Sequence, residues 1–305
     1  MEKSSPSTLV DIACADGYTL HGTLWESAQA PIALVLVHPA TAVPEALYAG
    51  FASYLVSRGF AALTYDYRGI GRSKPATLRG FSARMRDWAD LDVEAVGAWA
   101  RARFPELPML AVGHSMGGHA IGLTEASAQL TAAVLIASHA GSLRFITDRR
   151  ERLRATLLLK FVGPLLCRIL GYMPARALGL GEDYPAGVIH DWSRWTSMHR
   201  YFFDDPTMRA AERFARQRMP VLSVGMDDDP WGTPAGVDLL AAHLVNCAVE
   251  RRQYSPAMAG APIGHIGYFR RQHRDKLWAP VVDWLEAAVR AAPAGKHVHP
   301  EVQSA

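Results

Sequence analysis

Four short runs without a charged residue constrain this chain most: Ile32–Val37, Phe60–Tyr65, Leu107–Val112 and Ala132–Ala137. A strand wetted on one face alternates apolar with polar residues, whereas one covered on both faces reads as a continuous apolar run. Longer stretches with apolar residues at helical spacing separate these runs. Pro44–Arg58 carries Leu47, Phe51, Tyr54 and Leu55 and stops at Gly59. Phe81–Phe104 carries Trp88, Leu91, Val93, Val96 and Trp99 on or near one face. Strand and helix alternating through short connections predict right-handed βαβ units and a parallel sheet. Ahead of them, Leu9–Ala13 and Tyr18–Trp25 flank Asp16-Gly17, which reads as a hairpin.

The rhythm stops after Ala140. Residues 141–216 hold helical patterns, an arginine-rich stretch and aromatic clusters, with no convincing strand. It resumes at Pro220–Val224, continues with a strand near Val249–Tyr254 and closes in a helix, Asp275–Ala291. The expected organisation is an α/β core in two parts, 1–140 and 217–292, interrupted by a helical cap, 141–216. The Pro-, Gly- and His-rich tail, 293–305, is expected to be disordered.

With 305 residues, half of them hydrophobic, the chain can fill such a core. Lys and Arg total 32 against 29 Asp and Glu, a near balance that gives no nucleic-acid footprint. Cys14, Cys167 and Cys247 lie far apart, so neither a disulfide framework nor a zinc cage is implied, and no metal or cofactor is expected. The first seven residues have no apolar h-region, and the expected location is the cytoplasm.

The string Gly113-His114-Ser115-Met116-Gly117-Gly118 follows one of the apolar strands and precedes a run of small helix-forming residues. A sharp strand-to-helix turn presents a serine as a nucleophile, and its glycines make room for the neighbouring elements. The helix start behind Ser115 also offers the Met116 N–H to a developing oxyanion. Serine needs a base and the base an orienting carboxylate, in the chain order Ser, acid, His. His265, flanked by Gly264 and lying just before the final helix, satisfies that order. The other eleven histidines fail on chain order, predicted helical position or placement in the cap or edges.

Three consecutive aspartates follow the strand at Pro220–Val224. Asp228 is the preferred acid, Asp229 the alternative, since Asp-Pro turns also cap a following helix, and Asp227 is expected to face solvent. The loop Val37–Val43 should supply the second oxyanion donor. Pro39 has no N–H, which leaves Ala40, with Thr41 behind it. Thr41, His114, Trp231 and Tyr48 are candidates to bind substrate, although Tyr48 also reads as a helical core aromatic.

These residues resemble the α/β-hydrolase superfamily over nearly the whole chain. The string Asp66-Tyr-Arg-Gly-Ile-Gly-Arg-Ser73 is similar to the branch of monoacylglycerol lipases and serine aminopeptidases. More narrowly, Gly264–Arg270, Asp228–Trp231 and Gly181–Val188 look like a group of bacterial α/β-hydrolases of undefined substrate. The resemblance implies a mostly parallel eight-stranded sheet with helices on both faces, a Ser-His-Asp triad and a helical cap, but no substrate. Arg68 reads better as a fastener of its own loop, through backbone carbonyls, than as a carboxylate clamp.

Within the cap, Ala155–Met173 combines Leu157, Leu158, Phe161, Val162, Leu165, Leu166 and Ile169 with Lys160 and Arg168. A helix packed on the core and lining an acyl pocket is favoured over an amphipathic helix touching lipid. Arg149, Arg150, Arg152 and Arg154 are expected to be a solvated face. The expected function is a serine hydrolase cleaving an ester or thioester of a hydrophobic acyl or alcohol group, a small-molecule substrate. Peptidase action ranks lower, since no acidic residue obviously awaits a substrate amine. A non-catalytic ligand-binding protein of the same fold is the remaining alternative.

Overall fold

A computed structural model describes residues 7–292, so the expected tail lies outside the described residues. The strands are β1 (Ser7–Ala13), β2 (Thr19–Trp25), β3 (Leu34–His38), β4 (Ala61–Tyr65), β5 (Met109–His114), β6 (Ala132–Ile136), β7 (Tyr172–Met173), β8 (Tyr184–Pro185), β9 (Val221–Met226) and β10 (Val249–Tyr254). All but β7 and β8 form one sheet in the order β1-β2-β4-β3-β5-β6-β9-β10. Within this sheet only the β1–β2 and β2–β4 pairings are antiparallel. The hairpin turns at Gly17, whose φ of +83° suits a residue without a β-carbon.

The central strands β3, β4, β5, β6 and β9 are buried along their whole length. Their alternation still decides which layer each side chain enters. Val35 and Val37 of β3 pack with Phe51 and Leu55 of α1 (Ala49–Ser57) and with Val281 and Leu285 near the C-terminus. Leu34 and Leu36 face the opposite layer, with Trp88, Val96 and Ile121. Helices therefore cover both faces, as the uncharged runs require.

Local detail departs from simple periodicity. The helix expected from Pro44 begins as a 3₁₀ turn, Glu45–Tyr48, before α1. The one expected from Phe81 starts at Met85 and runs through α2 (Met85–Asp87), a π-helical turn (Trp88–Val93) and α3 (Glu94–Arg103). After β5 comes α4 (Met116–Leu123).

Residues 141–216 add no strand to the main sheet. They hold α5 (Arg149–Leu157), a π-helical turn (Leu158–Val162), α6 (Gly163–Leu170), α7 (Ala186–Thr196) and α8 (Ala210–Arg216). The expectation of no strand here needs correcting: β7 and β8 pair antiparallel. Two residues per strand are too few for a period of two to register in sequence. Trp195, Tyr201 and Phe202 are buried, Tyr201 and Phe202 packing on His119 of α4 at 5.6 and 5.0 Å between rings and Trp195 packing on both. They are packing residues of this segment.

The segment α5–α6 corrects a second expectation. Leu157, Phe161, Val162, Leu165 and Ile169, read as facing the core, point outward and are 42–63% exposed. Leu159 and Cys167 take the inner face. The chain then returns to the sheet, with α9 (Pro234–Ala241) after β9, and α10 (Pro256–Ala259) and α11 (Ala279–Ala291) after β10.

Candidate active site

Three segments converge at the carboxyl ends of β5, β9 and β10. At the end of β5 the chain turns at Ser115, with φ +50° and ψ −108°, straight into α4. Few residues with a side chain adopt such angles, and here the distortion lifts the hydroxyl out of the strand line. The turn is held by the Ser115 N–H donating to the Ile136 carbonyl at 2.8 Å. A β-carbon on Gly113 would sit 2.5 Å from the Gly117 carbonyl carbon, and one on Gly117 would strike the His38 carbonyl. Those approaches explain the glycines.

Ser115 Oγ lies 3.0 Å from His265 Nε2, and His265 Nδ1 lies 2.7 Å from Asp229 Oδ2. The sequence-based choice of Asp228 is thereby corrected. Asp228 turns away and accepts the Ile263 N–H at 2.8 Å, while Asp227 is exposed and bonded to Gln253. Asp229 also caps its turn: Oδ1 accepts the N–H groups of Trp231 and Gly232, both at 2.9 Å, leaving Oδ2 for the histidine. Capping and orienting a base looked like rival roles; one carboxylate has an oxygen for each. Burial would raise the Asp229 pKa, but the charge and hydrogen bond of His265 and the Gly232 N–H outweigh it and hold the group below the usual carboxylate range.

Of the two expected oxyanion donors, one needs a similar correction. The Met116 N–H, at the start of α4, has no hydrogen-bond partner among the described residues. The Ala40 N–H is occupied, donating to Tyr48 Oη at 2.9 Å. In the same loop the Thr41 N–H has no partner among the described residues, and Thr41 is half-buried.

Tyr48 and His114 do not face substrate, as both are fully buried. His114 Nε2 lies 2.8 Å from the His265 carbonyl oxygen, which can only accept, so Nε2 carries the proton. His114 Nδ1 is then the acceptor for Tyr48 Oη at 2.9 Å. Burial pushes the His114 pKa down to about 3, keeping the ring neutral as this pattern demands. The resulting chain runs from the Ala40 N–H through Tyr48 and His114 to the backbone of His265.

His139, which in sequence reads as lying in or beside the cap and as a substrate contact or plain surface, sits three residues beyond β6 with its ring 5.5 Å from the His265 ring. Its position just beyond a central parallel strand was the signal, because sites on such sheets form at the carboxyl ends. Arg68 is a fastener, but through carboxylates: Nε meets Asp92 and Nη1 meets Asp16, each at 2.6 Å.

A cavity of about 510 Å³ opens beside His265, walled by Trp231, Ile266, Leu180, Leu158 and Arg154. Trp231 lines this cavity, its Nε1 donating to Glu151 at 3.0 Å. Glu151 and Asp228 also border the cavity, so acidic groups are present after all, and Asp228 Oδ1 is buried without a partner. Among the described residues no cluster of three or more His, Cys, Asp or Glu is placed to hold a metal.

The serine aminopeptidase S33 profile matches residues 29–191, just over half of the chain. No curated protein matches the sequence. Solved structures similar in fold include an esterase from Pyrococcus furiosus (16% identity, 93% of this chain and 92% of that one, TM-score 0.62). A thermostable carboxyl esterase from Bacillus coagulans (14%, 93% and 99%, TM-score 0.58) and an esterase from Exiguobacterium antarcticum (14%, 92% and 100%, TM-score 0.60) are also similar. The sheet, the strained serine turn and the profile match agree: the chain belongs to the serine aminopeptidase S33 family of α/β hydrolases.

Proposed function

We propose that the protein is a serine hydrolase of carboxylic esters or thioesters, acting through an acyl-enzyme on Ser115. The observation that carries this reading is the continuous line Ser115 Oγ, His265, Asp229. His265 Nε2 takes the hydroxyl proton as Oγ attacks the carbonyl carbon. Asp229 holds Nδ1–H, fixing the tautomer and stabilising the imidazolium. The N–H groups of Met116 and Thr41 receive the oxyanion. His265 returns the proton to the leaving alcohol or thiol as its bond to the acyl carbon breaks. Water, deprotonated by the same histidine, then releases the acid and restores Ser115. Residues 141–216 act as a cap, and the Trp231-lined cavity takes the apolar part of the substrate.

A second reading follows from Asp228 and Glu151. Carboxylates beside the cavity, one oxygen of Asp228 unpartnered, suit a substrate ammonium and hence an aminoacyl amide. Hydrolysis of p-nitrophenyl acyl esters against aminoacyl p-nitroanilides separates the two, with faster ester turnover expected. A fluorophosphonate should label Ser115, and Ser115→Ala should abolish both labelling and turnover. Labelling elsewhere, or full activity in that variant, refutes the mechanism.

A further inference from the structure

Of the large apolar side chains exposed on the described surface, six lie within one helical segment: Leu153, Leu157, Phe161, Val162, Leu165 and Ile169. Five of them recur every fourth residue across α5 and α6. In a regular α-helix positions four apart advance by about 40° around the axis, so such a row would wind off any flat face. The π-helical turn Leu158–Val162 is underwound and takes back part of that advance. Pro164, which lacks an N–H, is the second residue of α6, just after that turn. The apolar row thus stays on one side of the helix, facing solvent.

Charge identifies what covers it. Residues 149–170 contain five arginines and one lysine against a single glutamate. Lys160 is turned inward, donating to Thr196 Oγ1 at 2.8 Å, and Glu151 is held by Trp231 and Arg154. Arg149, Arg150, Arg152 and Arg168 are exposed and form no ion pair among the described residues. A second copy pairing through this face would set basic ends against basic ends in either orientation of the helices, which opposes a twofold dimer. An anionic lipid surface matches both features, taking the apolar side chains below its headgroups and the guanidinium groups among them.

We infer that the α5–α6 helix is a docking surface for an anionic lipid bilayer. The inner side of the same helix walls the cavity beside His265 through Arg154, Ala155 and Leu158. A docked molecule therefore holds one cavity wall at the interface. No helix among the described residues is long and apolar enough to cross a membrane, so this contact is peripheral.

The test is co-sedimentation of the full chain with phosphatidylcholine vesicles and with vesicles containing equal phosphatidylglycerol. Binding to the anionic vesicles is expected, weakening as salt is raised. Phe161→Asp with Leu165→Asp should lower it about tenfold or more, from the loss of two inserted apolar side chains. Arg149→Gln with Arg152→Gln should remove the preference for phosphatidylglycerol. All four positions are exposed, so these variants should melt like the parent and turn over a soluble p-nitrophenyl ester unchanged. Vesicle binding is read without reference to activity, so its failure is distinct from failure of the hydrolase mechanism. No binding to anionic vesicles, or unaltered binding by the double aspartate variant, overturns the proposal. A dimer in sedimentation equilibrium that the aspartates dissolve overturns it too, by showing that a second copy covers the face.

Discussion

Tyr48 Oη stands 2.9 Å from His114 Nδ1, deep below the serine turn, and ties the loop after β3 to the loop that carries His265. Both side chains are fully buried, so neither can exchange this partner for water.

Tyr48→Phe leaves the Ala40 N–H and His114 Nδ1 unpaired inside the protein. An expected destabilisation of about 1–3 kcal/mol follows, measured by urea unfolding. Because the chain ends on the backbone of His265, kcat for a soluble ester should also fall, with KM little changed. An unaltered unfolding midpoint together with unaltered kcat would show that the network positions nothing.

Asp229→Asn removes the carboxylate that fixes the His265 tautomer and should lower kcat by about three to four orders of magnitude. Asp228→Asn keeps an oxygen for the Ile263 N–H and should stay within a few-fold of the parent. Steady-state kinetics on one ester with both variants decides between the adjacent residues; the reverse ranking would restore Asp228 as the acid.

Acid stability carries a sign that burial fixes. Desolvation lowers His38, His114 and His119 to about 3 and His139 to about 4, from 6.5. Below pH 6.5 the unfolded chain binds protons on these rings that the folded chain refuses, so stability is complete above that pH and lost as pH falls. Burial raises Asp66 to about 6 and Asp92 to about 7, and these keep protons in the fold, opposing the trend. Between pH 4 and 6 these groups leave the unfolded state a net excess of two protons, about 3 kcal/mol of stability lost per pH unit. Urea midpoints at pH 7.5, 6 and 5 should fall in that order; a flat series contradicts the assignment of neutral buried rings.

The sequence by itself determined the sheet and the order of the chemical groups. Uncharged runs such as Ile32–Val37 can belong only to strands covered on both faces, and Gly113–Gly118 follows one of them at a sharp turn. Those signals are local, written in neighbouring residues. Only the tertiary structure decided between Asp228 and Asp229, because adjacent residues on a turn point in different directions and composition does not say which one reaches His265. The same holds for Ala40, whose N–H was assigned by its place in a loop and proved to be taken by a tyrosine eight residues away. It holds also for Phe161 and Leu165: apolar spacing defines a face of a helix, but packing alone determines whether that face turns inward or out.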